Sequence, residues 1–369
     1  MHGRGHQPDY ILIALIAILV LFGLVMLSSA GAPISYQKFG NSYYYFTHQI
    51  ITGLIPGLIL FFFFSNYYYR KLREIAMPLL FISIILLILV FIPGLRTEYG
   101  TAHSWLNIFG FSVQPSEIVK ITFLIYLASW LEQRGEHKIK DLHSGFIPFL
   151  TVLGVISLLM ILQPDIGTLS VMIAMSLVVY FMAGGSTWHL LSLSGVGLMA
   201  FAVLVKISPY RLARFTAFLH PEKDPQGVAY HINQALIAVG SGGWLGLGLG
   251  HSRQKFAYLP EVTGDSIFAV IAEEIGFIFT VLVIILFLFL AWRGIKLAQA
   301  APDKFAKLLV IGIVSWFIIQ SFVNIGSVLG ILPMTGLPLP FVSSGGTALM
   351  TCLAAAGILV NISRFCKID

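Results

Sequence analysis

Apolar runs long enough to cross a lipid bilayer recur along almost the whole chain, and no other feature restricts its possible folds as much. About ten of them, each of roughly 17 to 25 residues, fall near positions 10–30, 48–65, 76–93, 116–131, 146–162, 167–183, 187–206, 266–292, 305–329 and 345–362. As helices rising about 1.5 Å per residue, they match a hydrocarbon layer of about 30 Å. The runs are continuous rather than alternating, which excludes a β-barrel and leaves helices, which satisfy their own backbone hydrogen bonds. The expected fold is all-α: a polytopic membrane bundle of about ten transmembrane helices forming a single domain over 1–369. A long extracytoplasmic loop, 206–264, is expected between the seventh and eighth spans.

A water-soluble chain keeps about a quarter of its residues charged, whereas here 10% are charged and 57% hydrophobic, so the solvent must be largely lipid. Cys352 and Cys366 are the only cysteines and neither has a metal-ligand neighbour, which sets aside disulfide scaffolds, zinc and redox chemistry. Ala30-Gly31-Ala32 has the small-x-small form of a signal cleavage site. The run before it is longer than a signal core of about 7–15 residues and nine more follow, so it is expected to be the first span.

A net charge of +6 is compatible with nucleic acid, but the basic residues sit in short clusters between apolar runs, a pattern that reports topology. With the N-terminus inside, Arg4 and the clusters Arg70-Lys71-Arg73, Arg134 to Lys140, Arg293 to Lys307 and Arg364 to Lys367 all face the cytoplasm. The short outer loops carry only Lys38 and Arg96, so both termini are expected to be cytoplasmic. The stretch 206–264 is exempt as a long translocated loop, yet it holds Lys206, Arg211, Arg214, Lys223, Arg253 and Lys255. Such charges suit an anionic ligand.

No soluble-enzyme motif is present. The glycines of 240–250 lack dinucleotide-binding spacing, no phosphate-loop Gly-Lys-Ser occurs, and none of the ten histidines forms a zinc-binding pair on a helix. That glycine run lets backbone approach either a neighbouring helix or a phosphate. Ionisable groups within or at the mouths of the spans are more informative, because charge in hydrocarbon is costly. Glu117 and Lys120 lie three apart on one helix face, as an ion pair orienting helices or as part of a cavity. Asp165, after Pro164, is expected to cap a helix. Glu273 and Glu274 lie about 12–14 Å below Asp265 and turned away from it, so buried inter-helix contacts are expected. Asp265 stands at the outer lip of its span, where a carboxylate either complements the helix dipole or serves as a base; spacing does not choose.

Five segments together carry a resemblance. Gln114-Pro-Ser-Glu117 with Lys120, Leu162-Gln-Pro-Asp-Ile-Gly-Thr168, Pro209-Tyr-Arg-Leu-Ala-Arg214, Leu259-Pro-Glu261 with Asp265 and Ile267 to Glu274, and Pro338-Leu-Pro-Phe-Val-Ser-Ser-Gly-Gly346 resemble, in order, the SEDS family of bacterial cell-wall proteins. Gly248 to Phe256 followed by Tyr258-Leu-Pro-Glu261 looks more like its division branch, FtsW, than its elongation branch, RodA. Thr263-Gly264 stands where many members carry His-Thr.

The resemblance implies a peptidoglycan glycosyltransferase polymerising lipid II outside the cytoplasmic membrane, with Asp265 as the essential acidic residue. Asp265 would take the proton of the acceptor 4-hydroxyl, with polyprenyl pyrophosphate leaving and the anomeric carbon inverting. Arg211, Arg214 and Lys255 are candidates for pyrophosphate contact, and Glu117, Lys120, Ser252 and Glu261 for the rest of the substrate site. Mg2+ or Mn2+ could assist, although no dedicated metal cage is visible. A class B penicillin-binding protein and other divisome membrane proteins are the implied partners. A lipid II flippase, an elongation glycosyltransferase and a scaffold that recruits a synthase remain as alternatives.

Overall fold

The computed structural model describes residues 6–99, 102–108, 110–223, 226–227 and 229–367; Arg4 lies outside them. The helices are α1 (Tyr10–Phe39), α2 (Tyr44–Gln49), α3 (Ile55–Asn66), α4 (Arg70–Glu74), α5 (Ala76–Leu89), α6 (Pro115–Lys140), α7 (Ile147–Leu162) and α8 (Ile166–Met182). They continue with α9 (Thr187–Ile207), α10 (Pro209–Leu219), α11 (Tyr230–Ser241), α12 (Ile267–Gln299), α13 (Lys304–Val328) and α14 (Gly346–Ser363). A π-helical turn joins α2 to α3 and another leads into α7, so each pair forms one continuous rod. Every expected apolar run is helical.

Seven rods are long and apolar enough on their own to cross a membrane, among the described residues. The runs at α5 and α8 give shorter apolar helices, and α6, 26 residues long, carries charge. The segment 206–264 is not plain loop: it contains α10 and α11. One element departs from an all-helical chain. Residues 96–113 form a three-stranded antiparallel sheet, β1 (Arg96–Tyr99), β2 (Ala102–Ile108) and β3 (Phe111–Val113), with Leu106 opposite both Arg96 and Val113. Its aromatic and β-branched residues favour strands, and Gly110, at φ 86°, turns β2 into β3.

Burial is graded across the bundle. In the most apolar stretch of α14, 83% of residues are buried, against 67% in α13 and 6% in α9. Lipid is as apolar as leucine, so central helices gain by approaching closely rather than by hiding apolar area. A Cβ on Gly357 would lie 2.5 Å from the Phe61 carbonyl oxygen, so α14 and α3 meet at a distance only glycine permits.

At one end of the bundle Asp9 caps α1 by accepting from the backbone of Ile11 and Leu12, both at 3.1 Å. Its other carboxylate oxygen receives Arg293 Nε of α12 at 2.7 Å, and its own N–H donates to Ser363 of α14 at 3.0 Å. The opposite end is held differently, and there the five sequence motifs meet.

Candidate active site

Asp265 sits just before α12, where two loops fold over it. Ser343 Oγ donates to the Gly264 carbonyl at 2.7 Å, Ser344 N–H donates to the Thr263 carbonyl at 2.8 Å, and Asn324 of α13 donates to the Asp265 carbonyl at 2.8 Å. The same Asn324 amide donates to the Leu337 carbonyl at 2.7 Å, and Gln320, one turn along, donates to the Pro338 carbonyl at 2.8 Å. The loop from 337 to 344 is thereby sewn both to α13 and to the turn carrying Asp265.

Asp165 caps α8 by accepting from Thr168 N–H at 3.2 Å, as expected, and also accepts from Ser116 Oγ at 2.7 Å and Gln114 Nε2 at 3.1 Å. Two of the motifs are joined by that carboxylate.

Glu117 and Lys120 do pair, at 2.7 Å, but both are wholly enclosed. Lys120 Nζ also donates to Gln320 Oε1 at 2.7 Å and lies 4.6 Å over the Trp316 ring. Their charges find their partners inside the protein, and through Gln320 the pair is linked to the 337–344 loop.

Ser252 and Lys255, the other substrate-site candidates in the 248–256 motif, also turn inward. α12 breaks at Gly276 (φ 75°, ψ 178°), and the glycine run enters the gap: Leu247 and Gly248 N–H donate to the Glu273 and Glu274 carbonyls, each at 2.9 Å. A Cβ on Gly276 would lie 2.2 Å from Gly246 N, so the run approaches a helix. This brings 252–255 onto two buried carboxylates. Glu273 accepts from Ser252 Oγ at 2.5 Å and from Arg253 N–H at 2.9 Å. Glu274 accepts from Lys255 Nζ and from Ser29 Oγ of α1, each at 2.7 Å. With 1% and 4% of their surfaces exposed, Ser252 and Lys255 anchor the loop to these two carboxylates. Both glutamates are buried and satisfied, with loop donors as well as α1.

Asp265 has the opposite environment. Its Oδ1 is enclosed without any hydrogen-bond partner, a state that costs about 1–3 kcal/mol for a buried polar atom. Its Oδ2 lies toward Gly336, which has no side chain to cover it. Burial, reinforced by the nearby Glu261 charge, pushes its pKa up to about 7, with Arg214, its own backbone N–H and the Ser266 hydroxyl opposing. Desolvation therefore outweighs the contributions that favour the ionised form. Glu261 is exposed, in a left-handed turn at φ 50° whose carbonyl receives Gly264 and Ser266 N–H.

Of the two arginines on α10, Arg214 is close enough to act electrostatically on Asp265 and reaches the Met334 carbonyl at 3.5 Å. Arg211 points instead to the Leu204 carbonyl of α9, at 3.4 Å. One residue not singled out by the sequence completes the group: His231 of α11, whose Nε2 lies 2.6 Å from Ser266 Oγ. Its lowered pKa, about 4, follows from burial and from Arg214, so the ring is neutral. A cavity of about 360 Å3 lies along another flank of α10, between Pro209 and Lys223, and is not lined by Asp265. Among the described residues no three His, Cys, Asp or Glu side chains converge as metal ligands.

An unsatisfied carboxyl with a near-neutral pKa, beside an arginine and framed by converging loops, is a site for proton abstraction near an anion. Comparison with known proteins agrees with the motifs. Residues 9–368 match the FtsW/RodA/SpoVE family, described as cell cycle protein. The chain belongs to this family. It is 41% identical to the stage V sporulation protein E of Bacillus subtilis over 367 residues, covering 100% of both chains. To the probable peptidoglycan glycosyltransferase FtsW of Trichlorobacter lovleyi it is 39% identical, covering 99% of this chain and 95% of the relative. Among solved structures, a chain of a peptidoglycan synthase complex aligns with TM-score 0.78 at 30% identity, over 98% of this chain and 99% of that one. Thermus thermophilus rod shape determining protein RodA aligns with TM-score 0.72 at 29% identity, over 98% of each. It has also been solved as an aspartate-to-alanine mutant, with the same score and identity. This family member is accordingly a multi-pass membrane protein with the RodA-like helical fold.

Proposed function

We propose that this protein is a peptidoglycan glycosyltransferase that polymerises lipid II into glycan strands at the outer face of the bacterial cytoplasmic membrane. The observation that carries this is Asp265: a carboxyl with a pKa near 7 and an unpartnered buried oxygen, at the bundle end where the motifs meet. The positive-inside pattern supports an orientation with that end outside and both termini in the cytoplasm. A base poised near the working pH takes the proton of the acceptor 4-hydroxyl as its oxygen bonds to the donor's anomeric carbon. The bond to the pyrophosphate oxygen breaks with inversion, and Arg214 offsets the charge that develops on the leaving group.

Among the described residues no cluster of carboxylates or histidines around Asp265 forms a cage for a divalent cation; Mg2+ or Mn2+ would enter this scheme as a counter-ion of the pyrophosphate. The relatives named FtsW and the motif from Gly248 to Phe256 support a role in septal wall synthesis. The solved relative from a peptidoglycan synthase complex supports pairing with a class B penicillin-binding protein, beside other divisome membrane proteins.

A flippase needs polar groups free to meet cargo within the bilayer. Here the charged side chains enclosed within α6 and α12 are in ion pairs, Glu117 with Lys120 through one oxygen, its other being unpartnered, and Glu274 with Lys255, which favours chemistry at the rim. The test is polymerisation of lipid II by the reconstituted protein with its transpeptidase. Asp265→Asn should fold and lose about 10²–10⁴-fold in rate, the usual worth of a general base. Full activity in that variant removes the base assignment, and lipid II transport undiminished by it would support a flippase.

A further inference from the structure

One face of α13 carries a ladder of polar side chains, Gln320, Asn324 and Ser327, turned to the loop that begins at Pro333. Ser327 Oγ lies 3.1 Å from the Pro333 carbonyl, and Gln320 donates to the Pro338 carbonyl at 2.8 Å. The middle rung also reaches the turn of the base. Asn324 is 1% exposed, and its Nδ2 gives one hydrogen to the Leu337 carbonyl at 2.7 Å and the other to the Asp265 carbonyl at 2.8 Å. Both acceptors are carbonyls, so the amide nitrogen must face them, and Oδ1 is turned away, enclosed without a partner.

The two carbonyls belong to opposite sides of a narrow gap. Gly336, next to Leu337, adopts φ 71°, and a Cβ there would stand 4.0 Å from Asp265 Oδ2, in van der Waals contact. Oδ1 of Asp265 is enclosed, which leaves Oδ2, on the Gly336 side, for an incoming hydroxyl to meet. We propose that Asn324 is a positioning residue: holding Asp265 and Leu337 with one nitrogen, it fixes the width of a slit between Asp265 and Gly336 through which the acceptor sugar hydroxyl reaches Oδ2. Gly336 is the lip that keeps the slit open, and so determines what can enter. This rests on the assignment of Asp265 as base. The proton still passes from the hydroxyl to Asp265, and Asn324 acts only by where it puts the carboxyl. Without the amide between them the two carbonyls repel each other, and the lips part.

The experiment measures kcat and KM for lipid II polymerisation by the reconstituted protein with its transpeptidase, alongside the melting temperature. The variants are Asn324→Ala, Asn324→Ser, Ser327→Ala, Gly336→Ala, Gly336→Asn and Asp265→Asn. Asn324→Ala removes both donors, and a carboxyl displaced by about 1 Å should lower kcat by about 10²-fold with KM changed by less than about twofold. Asn324→Ser keeps one donor, which can hold one carbonyl but not both, and should lower kcat by about tenfold for the missing hydrogen bond. Ser327→Ala loosens the same loop at Pro333, away from Asp265, and should lower the melting temperature without changing kcat. Gly336→Ala should lower kcat/KM by about tenfold or more, because its methyl stands over Oδ2. Gly336→Asn should lose as much, although asparagine accepts a left-handed backbone, so that the loss comes from the added Cβ rather than from strain.

A kcat that falls only in proportion to the folded fraction in Asn324→Ser, or that falls as far in Ser327→Ala, gives Asn324 a purely structural part and overturns the proposal. Full activity in Gly336→Asn overturns the slit even where the Asn324 variants fail to fold. If Asp265→Asn remains active, the base assignment fails and takes the slit with it. If Asp265→Asn is inactive while Asn324→Ser and Gly336→Asn turn over at the wild-type rate, only the slit fails.

Discussion

The α12 region holds carboxylates of two kinds within ten residues. Glu273 and Glu274 are each 1% exposed, and every donor near them has been recruited: a serine, backbone N–H groups and a lysine brought in by the glycine run. Asp265 lies nearer the surface, yet one of its oxygens is enclosed with nothing to bond. Depth alone would have ranked the glutamates as the functional acids. Satisfaction ranks them the other way: a carboxylate whose oxygens are all engaged serves structure, whereas one with an unpartnered oxygen is open to chemistry.

The sharpest way to break this contrast is to make a satisfied glutamate unsatisfied. Lys255→Met leaves Glu274 without its cation in a site closed to water, and should destabilise the protein by about 3–5 kcal/mol, read as a lower melting temperature in detergent. A pyrophosphate-binding lysine would instead give a stable protein with weakened substrate binding. Asp265→Asn should do the reverse. In the unfolded chain this carboxyl ionises near 3.8, in the folded protein near 7, so its stabilising contribution is complete below pH 3.8 and is lost as pH rises to about 7. The asparagine variant has no such loss, so its melting temperature should pull ahead of wild type as pH rises from 4 to 7, a change opposite in sign to that of Lys255→Met.

These differences were legible in the sequence to unequal degrees. The spans were, because continuous apolar runs have one structural solution in lipid. The sheet at 96–113 was not: its strands are short and sit between spans, where hydropathy carries no periodic signal. Spacing gave the pairing of Glu117 with Lys120 but not its depth, which depends on Gln320, 200 residues away in sequence. The burial of Lys255 is invisible in the sequence because a basic residue in a polar loop looks exposed, and only the break at Gly276, filled by the glycine run, turns it inward. His231 had no local signal at all. It meets Ser266 across 35 residues, through the packing of α11 on α12.

The finest test concerns what raises the Asp265 pKa. Burial is the larger cause and the Glu261 charge the next, with Arg214 pulling the other way. Glu261→Gln removes the like charge while leaving the enclosure intact, so the pKa should fall and the acid limb of polymerisation should move to lower pH by less than one unit. Rates near pH 6 should then rise and rates near pH 8 should barely change, because the wild-type base is already ionised there. Glu261 is exposed, so its effect passes partly through water and should shrink as salt is raised, while the burial contribution stays. A limb that does not move, at low salt as well as high, would mean that enclosure alone sets the proton affinity of this carboxyl, and that the exposed acid of the Leu259-Pro-Glu261 motif serves the turn rather than the base.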